Sequence, residues 1–130
     1  MENPDKPHSI LVVDDEDAVR NVLVRMLQAS GYVVASAPTA EAAIELFDAG
    51  RRFDLVVCDQ RMPGMTGSEC LDRIWQMVPD QRVVRVAGAL QDEEDGAIPV
   101  DRNSPVLTKP FTMERLLATV RAAIAGVTPP

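Results

Sequence analysis

Apolar positions along the chain follow two alternating patterns. Short unbroken runs, Ile10-Leu11-Val12-Val13, Leu55-Val56-Val57-Cys58 and Val106-Leu107, each lead into charge: Asp14-Asp15-Glu16, Asp59 and, after Thr108, Lys109. Aliphatic runs of this length before a turn signal predict strands buried on both faces, as in a parallel sheet. Between them the spacing becomes helical. Val19, Val22, Leu23, Met26 and Leu27 predict a first helix that Gly31 stops, and Ala40, Ala43, Ile44 and Phe47 form one stripe of a second, from about Thr39 to Ala49. Thr66 with Glu69 three residues on is a capping-box pattern opening a third helix that bears Leu71, Ile74, Trp75 and Val78.

Further strands are predicted over Tyr32 to Ala37 and Val83 to Val86, with the fifth over Val106 to Thr108. A last amphipathic helix carries Met113, Leu116, Leu117, Val120 and Ile124 and ends at Gly126. Between strands four and five, Gln91-Asp92-Glu93-Glu94-Asp95 starts like a helix but meets Gly96 and Pro99. Gly costs about 1 kcal/mol and Pro about 3 kcal/mol inside a helix, so the fourth helix is expected to be short or irregular. Arg85 within an aliphatic strand leads to the same expectation, one partly open flank on strand four, because a buried guanidinium is costly unless paired.

Strands joined by helical crossovers are parallel with right-handed connections. The predicted fold is α/β, a doubly wound five-stranded parallel sheet, with the flavodoxin-like order 2-1-3-4-5 as the favoured arrangement. The folded unit is expected over residues 9–126, with an arm at 1–8 and a tail at 127–130. In such a sheet the ligand crevice lies outside the carboxyl ends of the strands. Asp14, Asp15 and Asp59 would meet there, with Lys109 about 10 Å away at about 4.8 Å per strand, within reach of its long side chain.

Composition narrows the chemistry. At 130 residues, 46% of them hydrophobic, the chain fits one domain. A net charge of -7 argues against unaided nucleic-acid binding. No apolar run suits a signal peptide or a membrane span, so a cytoplasmic protein is expected. Cys58 and Cys70 match no metal or redox spacing and read as reduced core residues, and His8 stands alone in the leading arm.

Two carboxylates 4 Å apart repel by about 4 kcal/mol at an effective dielectric near 20, so three in one crevice call for a cation. Oxygen donors without His or Cys select Mg²⁺, Mn²⁺ or Ca²⁺. Three acids, one divalent ion and one lysine are neutral together, which suits phosphoryl transfer to an aligned carboxylate. Plainer readings exist for each residue alone: Asp14 and Asp15 as caps of the first helix, Asp59 as a turn residue, Lys109 as a solvated lysine. None of them explains charges at matching strand ends.

Val12-Val13-Asp14-Asp15-Glu16, Asp59 followed by Met62-Pro63-Gly64-Met65-Thr66-Gly67, and Thr108-Lys109-Pro110-Phe111 resemble the receiver domain of two-component response regulators, over residues 9 to 125. The resemblance implies that Asp59 accepts a phosphoryl group from a sensor histidine kinase, a hybrid kinase or a phosphotransfer protein. It implies that Asp14, Asp15, Asp59 and the backbone carbonyl of Arg61 hold Mg²⁺, and that Lys109 pairs with the acceptor and then with the phosphoryl group. A cis Lys109-Pro110 bond also follows from it. Turnover would belong to the kinase, so the chain itself is not expected to be an enzyme.

The chain departs from the family at both moving parts of the usual switch. Ala87 stands where a Ser or Thr hydroxyl is usual, and Val106 where Tyr or Phe is usual. Phosphorylation chemistry looks complete while the relay of shape does not. The first expectation is therefore a Mg²⁺-dependent phosphoacceptor at Asp59, serving as a relay intermediate, a phosphate sink or a regulator of a downstream protein target. The alternative is a protein-binding module whose partner docks regardless of phosphate, through helix one, the last helix or the strand-four flank. A small aspartyl hydrolase is disfavoured by the lack of a second catalytic acid or base. The opening Met favours a stand-alone domain over one excised from a hybrid kinase, and the degraded fourth helix favours a monomer.

Overall fold

The computed structural model describes residues 7–62, 64–88 and 105–126. Five parallel strands, β1 (Ser9–Val13), β2 (Val33–Ala37), β3 (Leu55–Asp59), β4 (Val83–Gly88) and β5 (Val106–Lys109), form one sheet in the order β2-β1-β3-β4-β5. The helices are α1 (Asp17–Ala29), α2 (Ala40–Asp48), α3 (Gly67–Met77) and the last helix, here α4 (Met113–Ala125). The expected short helix between β4 and β5 falls largely in residues 89–104, outside the described residues.

Helix starts follow local chemistry. Thr39 accepts from the Ala42 N–H at 3.0 Å and Thr112 from the Arg115 N–H at 3.0 Å. At α3 the capping box is complete, since Thr66 accepts from Glu69 N–H while the Glu69 carboxylate accepts from Thr66 N–H, both at 3.2 Å. Gly126 ends α4 with φ 76°, a conformation that costs glycine nothing. α1 differs: its cap residue Glu16 makes no side-chain cap, and the Asp14 carboxylate binds the Glu16 N–H rather than a first-turn amide. The cap reading of Asp14 is thus set aside.

Alternate strand residues feed two cores. Leu11, Val13, Val56, Cys58 and Val83 pack with α2 and α3, whereas Ile10, Val12, Leu55, Val57, Val84, Val86 and Leu107 pack with α1 and α4. Cys58 and Cys70 are both free and buried in the first core, as read from sequence. Trp75 is also core, its indole N–H donating to Gln81 O at 2.9 Å.

One expectation is corrected. Arg85, in register between Cys58 and Val106, is only 2% exposed, so β4 is covered where an open flank was predicted. Its side chain has interaction partners, which offset the burial that made exposure look necessary. Exposure falls on the neighbouring edge strand, where Val106, 38% exposed, and Thr108 face outward.

Candidate functional site

Register sets the site. β1 and β3 pair through Val13 and Cys58, so the next residues, Asp14 just past β1 and Asp59 at the last position of β3, stand side by side. Carboxylate oxygens of Asp14, Asp15 and Asp59 all lie within 4.8 Å of one another. β5 ends at Lys109, paired with Gly88, and its Nζ crosses to Asp59 Oδ2 at 3.6 Å. The four charged residues expected to converge do so, and Lys109 spans β4 as its length allows. The Lys109-Pro110 bond is cis.

Asp14, 1% exposed, is held at three of its polar atoms. Its N–H donates to Ala37 O at 3.2 Å, its carbonyl accepts from Arg20 Nη1 at 2.8 Å, and Oδ1 accepts from the Glu16 N–H at 2.9 Å. Oδ2 is buried without a partner. Asp59, 5% exposed, accepts from the Arg61 N–H at 3.2 Å through Oδ1.

Burial, and then the charge of Asp14, push the Asp59 carboxyl up to about 6, against the opposing pull of Lys109 and the Arg61 N–H. Burial likewise raises Asp14, with the Glu16 N–H and Lys109 opposing. Desolvated, mutually repelling carboxylates hold protons more tightly, and a hard cation at their meeting point would relieve both causes. An orphaned buried carboxylate oxygen within an all-oxygen donor set fits Mg²⁺.

The loop after Asp59 is tightly built. Gln60 N–H donates to Val86 O at 2.9 Å, Gly67 N–H to Gln60 O at 3.1 Å, and Ser68 Oγ to Gln60 Oε1 at 3.1 Å. A Cβ on Gly67 would sit 2.3 Å from Asp59 O and 2.8 Å from Gln60 Cα, so only glycine lets α3 lie this close to the end of β3. Pro63 lies outside the described residues.

Residues 10–121 match the family model of the response regulator receiver domain. The chain belongs to that family. The receiver is 37% identical over 114 residues to the sensor kinase CckA of Brucella abortus, covering 87% of this chain and 12% of CckA. It is 36% identical over 124 residues to the response regulator MprA of Mycolicibacterium vanbaalenii, covering 95% of this chain and 53% of MprA. The chain thus spans about half or less of these curated relatives. Among solved structures, NtrX from Brucella abortus superposes with a TM-score of 0.83 at 27% identity, covering 93% of this chain and 27% of that one. A response regulator receiver protein from Sinorhizobium medicae gives 0.78 at 27% identity, covering 92% and 96%.

Within this receiver, Ala87 lies one residue beyond the level of Asp59 on β4, buried and in register with Thr108. A methyl group stands where a hydroxyl was looked for. Arg20 and the Glu16 amide were not found from sequence. An Asp17–Arg20 pair at i,i+3 was visible there, but a guanidinium turning back to the Asp14 carbonyl depends on how α1 leaves β1.

Proposed function

We propose that Asp59 accepts a phosphoryl group from a phosphohistidine of a kinase or phosphotransfer protein, with Mg²⁺ bound by Asp14, Asp15 and Asp59. The observation that carries this reading is the meeting of two further carboxylates and one lysine around a buried aspartate with a raised pKa. Bound Mg²⁺ would supply the charge neutralisation that three clustered acids lack. The resemblance adds the Arg61 carbonyl as a further oxygen ligand.

The chain's own residues orient and balance charge. The Arg61 N–H holds one oxygen of Asp59, and Lys109 faces the other. In the transfer, a carboxylate oxygen bonds phosphorus as the phosphorus–nitrogen bond of the donor breaks, and the electron pair leaves on the imidazole. Lys109 is placed to pair with the added negative charge. The protein contributes position and electrostatics while turnover stays with the donor, so the chain is not itself an enzyme in this reading. It is cytoplasmic and monomeric and signals to a downstream protein. No described helix is long and apolar enough to cross a membrane.

A second reading, a module whose partner binds regardless of phosphate, is favoured by one observation. The methyl group of Ala87 and the half-exposed Val106 provide no hydroxyl and no aromatic ring to carry the state of Asp59 outward. One experiment separates the two. The protein and Asp59→Asn are incubated with Mg²⁺ and a small phosphodonor, and mass and partner affinity are followed. A single phosphoryl addition lost in the variant supports the acceptor, and no addition to the parent refutes it. Partner affinity that is equal with and without the modification supports the module.

A further inference from the structure

We infer that Arg20 is the positioning residue of the cation site, fixing the Asp14–Asp15 peptide so that both carboxylates face one ion. The inference rests on the magnesium reading above and assigns a role to a residue that touches no carboxylate of the cluster.

Arg20 projects back from the first turn of α1, its side chain 15% exposed. Nη1 donates to Asp14 O at 2.8 Å, and Nη2 pairs with Asp17 Oδ1 at 2.5 Å. Asp17 is largely exposed and holds the outer edge of the guanidinium, so the planar fork bridges the turn's backbone and the helix start, geometry that an ammonium reproduces poorly. The carbonyl it grips belongs to the peptide plane between Asp14 and Asp15. Fixing that plane sets ψ of Asp14 and φ of Asp15, and so the direction in which the Asp15 side chain leaves the backbone. The Asp14 carboxylate has its own anchor in the Glu16 N–H. Asp15 has no such anchor among the described residues and is aimed through its backbone. At the α1 start itself, Glu16 makes no side-chain cap. Groups that orient metal ligands from outside the coordination shell commonly change metal affinity by 10–100-fold.

The test turns on a sign. Arg20→Met removes a positive charge beside a cation site, so Coulomb's law alone gives tighter Mg²⁺ binding, whereas loss of positioning gives weaker binding. Calorimetric titration with MgCl₂ is run on the parent, Arg20→Met, Arg20→Gln and Arg20→Lys, each checked for folding by circular dichroism. The expected result is affinity lowered about 10-fold or more in the Met and Gln variants, part of it recovered with Lys, and faster amide exchange at Glu16 in the metal-free Met variant. A merely structural role would lower the melting temperature and leave affinity unmoved. Uptake by the parent with equal or tighter binding by the Met or Gln variant overturns this inference alone. No uptake by the parent overturns the magnesium reading and this inference with it.

Discussion

Replacing Asp59 by Asn should stabilise the metal-free protein at neutral pH while abolishing phosphoryl acceptance. The carboxyl is 5% exposed and stands at about 6 in the folded chain against an ordinary 3.8. Between those values the folded state binds more protons than the unfolded state, so stability falls as pH rises through the window, and the deficit is complete above about 6. A shift of about two pH units corresponds to about 3 kcal/mol. Asn removes the burial cost and the repulsion from Asp14 but also loses the attraction of Lys109, so a gain of about 1–3 kcal/mol is expected, or about 4–12 °C in melting temperature. Thermal unfolding by circular dichroism in EDTA at pH 7 reads it directly. The gap between variant and parent should close toward pH 4, where the folded parent is protonated, and narrow when Mg²⁺ is added at pH 7. A variant that melts at or below the parent in EDTA at pH 7, or a gap that does not vary with pH, would show that the Asp59 charge carries no such cost.

Two further outcomes follow from the same geometry. Gly67→Ala places a methyl 2.3 Å from Asp59 O and should cost about 1–3 kcal/mol in urea denaturation, with weaker Mg²⁺ binding as α3 moves off the end of β3; an unchanged midpoint would show that the contact yields freely. Ala87→Ser adds a hydroxyl at a buried position near the acceptor, and a hydroxyl bond to a charged group is worth about 1.5–3 kcal/mol. The lifetime of the phosphoryl group on Asp59, followed by mass spectrometry, should therefore change by about tenfold or more, and an unchanged lifetime would place residue 87 out of reach of the phosphoryl oxygens.

Much of this receiver is legible in one dimension. The unbroken runs at Ile10–Val13 and Leu55–Cys58, short and bounded by turn signals, read as strands covered on both sides, and the helical stripes and the Thr66–Glu69 box mark helix positions because caps and periodicity are local physics. β4 extends past Val86 to Gly88, since a strand's end is set by its neighbour's hydrogen bonds as much as by its own residues. Arg85 shows where local reasoning fails, because the cost of burying a charge depends on partners that composition does not reveal.

That Asp14, Asp15, Asp59 and Lys109 stand at strand ends follows from residue order alone, because the charge terminating each apolar run is a property of neighbouring residues. What those ends do to one another arises only in the folded sheet. Strand order brought Lys109 to 3.6 Å from Asp59, burial and like charge raised that aspartate to about 6, and the departure of α1 turned Arg20 onto the Asp14 carbonyl. Distances between groups far apart in the chain, and the dielectric around them, exist only once the sheet has closed its ranks.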